Sequence, residues 1–299
     1  MQPLQQLVQQ IINGLVIGSV YSLVALGYTM VFGILGFINF AHGDVFMIGT
    51  FFGLVLLGTG HFNFTAALIG AALLTGIAGV AIEVVAYRPV RRFGKGFEDT
   101  MLVSAIGVSI FLETLAQIIW GTETHALNSG IHSVDFQFWG LNVSSIQILI
   151  LVTGVVLMVV LHLFVTRTVT GAAMRATAQN MLAARLMGIG VNRIIAITFA
   201  IGSVMAAVGG MMVGAYFDAV YPLMGWTAGI KAFTAAVLGG VGSIPGAMVA
   251  GVLIGLVETL GSAYISSGFR DGFAFIILIL TLLFMPSGLF KARKGEGKV

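Results

Sequence analysis

The chain has 299 residues, of which 58% are hydrophobic and only 8% charged, and its mean hydropathy is +1.06. A soluble fold carries about 25% charged residues to coat its surface, so the medium around most of this chain is lipid. At about 20 residues per crossing the length admits some eight spans, which leaves no room for a separate extramembranous domain.

Apolar runs fall at residues 10–36, 40–58, 64–86, 100–120, 144–166, 194–216, 229–261 and 272–290. Each except the seventh has the length of one helix. The first is read as a retained helix, because the ten residues at its head carry no Lys or Arg and no small-residue cleavage site closes it. The fold expected is an all-α integral membrane protein, a polytopic helix bundle of about eight spans with broken or re-entrant segments, forming one domain over 1–299.

Of the 14 Lys and Arg residues, 12 fall in three groups of four: Arg88, Arg91, Arg92 and Lys95; Arg167, Arg175, Arg185 and Arg193; and Lys291, Arg293, Lys294 and Lys298. The positive-inside bias makes these segments cytoplasmic and the loops at 121–143 and 217–230 external. The N-terminus is then outside. The seventh run must begin and end outside, either as a re-entrant hairpin or as two short spans, with LGGVGSIPGA (238–247) as the turn. Short basic clusters between apolar runs, without interleaved aromatics, do not indicate nucleic acid.

Ionisable groups inside a span cost a few kcal/mol and ask for a partner or a cavity. INFAHGDVFMIG (38–49) sets Asn39, His42 and Asp44 around Gly43 between two runs with almost no loop between them. It is either a short cytoplasmic turn in which Asp44 caps the next helix, or a broken helix whose polar groups line a substrate path. Glu113 shares a face with Ser109 and Gln117, a stripe expected to look into the bundle. Lys231 is expected to snorkel to the external interface or to pair with Asp218. Glu83 and Glu258 are expected to reach headgroups. No metal site is expected, since one His, one Asn and one Asp within a few residues do not make a ligand set. The absence of cysteine removes thiol chemistry, and no cofactor or nucleotide motif occurs, because Lys95 lacks the following Ser or Thr of a phosphate loop.

Small residues recur four apart at Gly14 and Gly18, Gly49 and Gly53, Gly251 and Gly255, and along Gly202, Ala206, Gly210 and Gly214. That spacing makes helix-packing seams. The cytoplasmic segment 166–193 holds four Arg and no acid. Residues 172–187 read as an amphipathic helix with Met174, Met181, Leu182 and Leu186 on one apolar face and Gly188 as its stop, suited to headgroups or to a groove on a cytoplasmic partner.

AARLMGIG (183–190) resembles the EAA-type coupling loop of bacterial importer permeases, with Leu182 where that loop often has Glu. GSVYSLVALGYTMVFGILGFINFAHGDVFMIGTF (18–51), MRATAQNMLAARLMGI (174–189) and AAVLGGVGSIPGAMVAGVLIGLVE (235–258) together resemble the LivH class of branched-chain amino acid ABC transporter permeases. The resemblance implies a non-enzymatic subunit of the bacterial inner membrane. Its implied partners are a second related permease, two cytoplasmic ABC ATPases and a periplasmic substrate-binding protein. It implies Arg175, Ala183, Ala184, Arg185 and Gly188 on the ATPase-facing helix. It places Asn39, Ala41, His42 and Gly43, with Gly239, Gly240 and Gly242, at broken segments near the path; Asp44, Glu113 and Ser243, read from the residues themselves, are the further candidates for its lining. Urea and short-chain amide importers use similar permeases. An ion-coupled secondary transporter with Asp44 and Glu113 as relays, and a membrane enzyme with His42 and Asp44 as acid and base, are the rival readings.

Overall fold

The computed structural model describes residues 3–91, 97–131 and 134–290. Helices α1 (Pro3–Leu35), α2 (His42–Gly58) and α3 (Phe64–Ile82) come first, and α3 continues through a π turn (Glu83–Tyr87) into the single turn α4 (Arg88–Val90). After α5 (Phe97–Trp120), a hairpin of β1 (Asp135–Phe138) and β2 (Leu141–Ser144) precedes α6 (Ser145–Arg167). The short α7 (Val169–Gln179) and α8 (Met181–Leu186) lead into α9 (Val191–Phe217). The chain closes with α10 (Met224–Gly239), α11 (Ile244–Tyr264) and α12 (Arg270–Phe284). Among the described residues seven helical stretches are long and apolar enough to cross a membrane, and α2 is a shorter apolar helix. The basic positions Arg92, Lys95, Lys291, Arg293, Lys294 and Lys298 lie outside the described residues.

Two helices form the axis of the bundle. The most apolar stretch of α1 is 89% buried and that of α9 72%, against 17% for α5 and 11% for the last span, so the peripheral helices present their apolar faces outward to lipid or to another subunit. The small-residue seams hold this axis together. Gly14 and Gly18 of α1 interlock with Gly251 and Gly255 of α11, where a Cβ on Gly18 would lie 2.7 Å from Val252 Cα. Gly49 meets Ala207, and Gly210 meets Phe46 and Thr50, between α2 and α9. Without side chains at these points the backbones approach to contact distance, and dispersion replaces the hydrophobic drive that lipid removes.

The bundle has two distinct ends. Arg88, Arg167 and Arg193 mark one, because α3 with its extension and α6 finish there and α9 starts there. The other carries the β-hairpin, whose two-residue turn puts Trp139 (φ +56°) and Gly140 (φ +76°) in the left-handed region. Gln9 on α1 exchanges two 2.9 Å hydrogen bonds with the Asn142 backbone, so α1 begins at this hairpin end, opposite Arg88, Arg167 and Arg193. The loops on either side of the molecule meet here too: His125 and Val220 exchange backbone bonds of 2.8 Å, and Asp218 accepts from Asn128 N at 2.9 Å.

The seventh apolar run resolves into α10 and α11, joined at 240–243, and both of its outer ends lie at the hairpin end. The turn reaches the arginine end: Gly33, near the finish of α1, lies against Gly242, and the segment before the C-terminal tail bonds back through Leu289 N to Leu238 O (2.8 Å) and Phe290 N to Gly239 O (3.1 Å). Gly240 (φ +95°) and Gly288 (φ +72°) touch backbone to backbone there, which no L side chain would allow.

Candidate functional site

The α1–α2 break is the first polar centre. Gly36 (φ +75°) ends α1, and the next residues run back into the bundle without helix before α2 starts at His42. His42 packs on Gly27 and Gly202. Gly27 stands eight residues before the finish of α1 and Gly202 eleven after the start of α9, so at 1.5 Å per residue His42 sits about 12 to 16 Å inside the arginine end. The short-turn alternative therefore gives way to the broken helix. Asp44 caps nothing: the N-cap is Ala41, with no side-chain cap bond.

The break is satisfied from several helices. Asn39 Oδ1 accepts from the buried Tyr87 hydroxyl at 2.6 Å. The Tyr28 ring stands edge-on to His42 at 4.7 Å, while His42 Nε2 is buried without a hydrogen-bond partner among the described residues. Gly43 lies on Gly225 and Gly229, where α2 and α10 cross backbone to backbone. Asp44 is buried and accepts a hydrogen bond from Ser109 on α5, and one turn along the same face the half-buried Glu113 accepts from Gln117 at 3.1 Å. The expected stripe on α5 thus meets the break through Ser109. Gly239, Gly240, Gly242 and Ser243 do not join this cluster. They form the turn at the arginine end, where Ser243 Oγ caps α11 by accepting from Gly246 N at 3.2 Å.

A second polar centre escaped the sequence reading. Lys231 neither snorkels nor pairs with Asp218; its Nζ lies 2.9 Å from Glu258 and 2.7 Å from Asp271. Glu258, wholly buried, does not reach headgroups. It accepts from Lys231, from Arg270 Nε at 2.6 Å and from the Tyr21 hydroxyl at 2.9 Å. Lys231 is the one basic residue between Arg193 and Arg270, which could have signalled that it needs an acid on a neighbouring helix. Glu83 also departs from expectation. The π turn brings Arg88 (2.7 Å) and Arg91 (2.8 Å) onto its buried carboxylate, and Arg91 reaches on to Asn192 at 3.1 Å.

The cytoplasmic segment is two helices. Asn180 breaks it in extended conformation, and its side chain accepts from Leu182 N and Ala183 N at 2.9 Å to cap α8. The single apolar face expected over 172–187 is therefore divided: Met174 is buried in the bundle, whereas Leu182, Leu186 and Met187 project outward, the last two 80% and 83% exposed. Of the residues expected to face the ATPases, Arg175, Ala183, Arg185 and Gly188 are exposed and Ala184 is buried. Arg175 donates to the Val165 carbonyl and so ties α7 to the end of α6. Gly188 (φ +82°) turns the chain out of α8 with open space where a Cβ would stand.

The family described as branched-chain amino acid transport system, permease component, matches residues 10–283. This chain belongs to that family. The permease is 42% identical over 303 residues to the high-affinity branched-chain amino acid transport system permease protein LivH of Escherichia coli (strain K12), covering 96% of both chains. It is 42% identical over 301 residues to BraD, described in the same terms, of Pseudomonas aeruginosa, covering 96% of this chain and 97% of that one. A probable LivH of Methanocaldococcus jannaschii is 28% identical over 94% of the permease. The solved structure of PsaBC from Streptococcus pneumoniae in complex with Fab superposes with a TM-score of 0.50 at 13% identity, covering 94% of this chain and 91% of the other, a likeness of fold alone. The permease is accordingly a membrane-spanning transport component and not an enzyme.

Proposed function

We propose that the permease is one of two membrane subunits of an ATP-binding-cassette importer that moves branched-chain amino acids across the bacterial inner membrane by alternating access. The observation that carries this reading is the end-to-end 42% identity to LivH and BraD. Two cytoplasmic ATPases, a second related permease and a periplasmic binding protein complete the assembly. The exposed tip of α8, with Leu182, Arg185, Leu186, Met187 and Gly188, seats in the ATPase through a largely apolar contact with Arg185 as its one charge, since Leu182 supplies no acid there. Ala184 acts by packing α8 on the bundle. Because Arg175 and Gly171 tie α7 to α6, ATPase closure moves this corner as a unit, and the glycine seams let the helices slide. Asn39, His42, Gly43, Asp44 and Glu113 line the middle of the route. Gly239, Gly240, Gly242 and Ser243 form its inner rim. The joined loops at the hairpin end receive the loaded binding protein.

The test is reconstitution. The permease co-expressed with its companion subunits in liposomes is expected to take up radiolabelled leucine, isoleucine and valine only with ATP inside and the binding protein outside. Uptake of urea or short-chain amides in their place, or ATP-independent uptake by this chain alone, overturns the reading.

A further inference from the structure

At the hairpin end a cavity of about 480 Å³ opens between α1, α2, α9, α10 and α12, within the range typical of small-molecule sites. Its walls divide by chemistry. Ile17, Phe46, Val213 and Met224 supply apolar lining, while Arg270, Asp271 and Lys231 supply charged lining. Glu258 is fully committed, one carboxylate oxygen to Lys231 and Arg270 and the other to Tyr21, so it anchors the two cations and takes no further part. Arg270 spends only Nε on that anchor. The terminal nitrogens of its guanidinium have no partner among the described residues, its side chain is 39% exposed, and its plane lies 6.0 Å from the Phe217 ring. Asp271 spends one oxygen on Lys231 and is 61% exposed.

An open guanidinium fork and an open carboxylate oxygen on consecutive residues put opposite charges on one cavity lining, the complement of one small molecule carrying both. We infer that this cavity binds a zwitterionic aliphatic α-amino acid, its carboxylate on the Arg270 fork, its ammonium on Asp271 and its branched side chain on the Ile17, Phe46, Val213 and Met224 wall. The carboxylate pairing is bidentate, the geometry for which arginine is suited. Lys231, Arg270, Glu258 and Asp271 sum to zero charge, so a neutral zwitterion enters without leaving a net charge in a low-dielectric wall, whereas an anion or a cation would leave one. Urea and simple amides lack both charged ends and leave the fork and the carboxylate unmatched. The inference rests on the transport reading above and adds to it a subsite, on this chain, where cargo released from the binding protein first lodges.

The chain has no cysteine, so Thr227→Cys at the cavity rim gives it a single thiol. In the assembled permease and ATPase complex without binding protein, maleimide labelling of that thiol is followed on the separated subunit. Leucine, isoleucine and valine are expected to slow labelling saturably, and urea, acetamide and leucine amide to leave it unchanged. Arg270→Gln and Asp271→Asn should each raise the half-protecting concentration by about tenfold or more, the weight of one charge-assisted contact. If Arg270→Gln does not assemble, Arg270→Lys keeps the charge at Glu258 while removing the fork, and the same rise is expected. Variants that lower the melting temperature of the complex but leave the half-protecting concentration unchanged overturn the inference, because they mark the pair as structural only. So does protection by urea equal to that by leucine. A complex that imports leucine yet shows no protection refutes the subsite and leaves the transport reading standing, whereas a complex that imports urea or amides and no leucine refutes both.

Discussion

Lys231 on α10 and Glu258 on α11 meet at 2.9 Å across the α10–α11 hairpin, and this pair fixes how its two helices face each other. Glu258 also holds Arg270, so α12 is tied to the same carboxylate. Removing that carboxylate leaves the nearly buried Lys231 with Asp271 as its remaining partner and Arg270 without its anchor, and Glu258→Ala is expected to cost about 3 kcal/mol. Lys231→Met combined with Glu258→Met removes both charges of one pair and should recover part of that loss. Thermal unfolding of the detergent-solubilised complex measures both; equal losses for the single and double variants would contradict the pairing.

The crossing of α2 over α10 depends on Gly43 and Gly225, each of which would drive a Cβ into the other's backbone. Gly43→Ala and Gly225→Ala are each expected to cost about 1–3 kcal/mol by overpacking and to reduce uptake. Gly58→Ala, at the finish of α2 with nothing within 4 Å of the added carbon, serves as the control and should be near neutral. Melting temperatures and initial uptake rates of the three variants decide this, and a silent Gly43→Ala would place the crossing elsewhere.

Tyr87 donates to Asn39 at 2.6 Å from a fully buried position. Tyr87→Phe keeps the ring, including its 5.5 Å edge contact with Phe37, and leaves the Asn39 oxygen unsatisfied. The expected loss is about 1–3 kcal/mol. Asn39→Leu combined with Tyr87→Phe removes both polar groups and should restore most of the stability, a compensation that a differential melting comparison would reveal.

The spans were legible because run length and apolar composition are one-dimensional signals: the predicted run at 64–86 and the helix Phe64–Ile82 with its extension differ only at the tail. The partners of Glu83, Lys231 and Glu258 were not. A sequence shows that a charge lies in a span but not which way it points, and the π turn at Glu83–Tyr87 shifts the helical register so that Arg88 and Arg91 converge on one acid. The break at 36–41 was visible as a polar cluster between apolar runs. Its depth was not, since that is set by which glycines of α1 and α9 receive His42. Asn180 was hidden for a different reason: good helix formers flank it, and only its own side chain, turned onto the backbone amides of Leu182 and Ala183, ends one helix and starts another.

The tip of α8 gives the sharpest separation of folding from coupling. Leu186 and Met187 are among the most exposed apolar residues at the arginine end, so Leu186→Ser and Met187→Ser should leave the stability of the permease within about 0.5 kcal/mol of wild type. Truncating exposed apolar anchors at an interface typically costs about 1–2 kcal/mol each, so the double variant should reduce ATPase co-purification by tenfold or more. Ala184→Leu acts in the opposite order. Its Cβ is buried between α8 and the bundle, so the larger side chain displaces α8 and lowers stability and coupling together. Pull-down of the ATPases beside the melting curve distinguishes the two, and normal ATPase retention with Leu186→Ser and Met187→Ser combined would remove the α8 tip from the coupling surface.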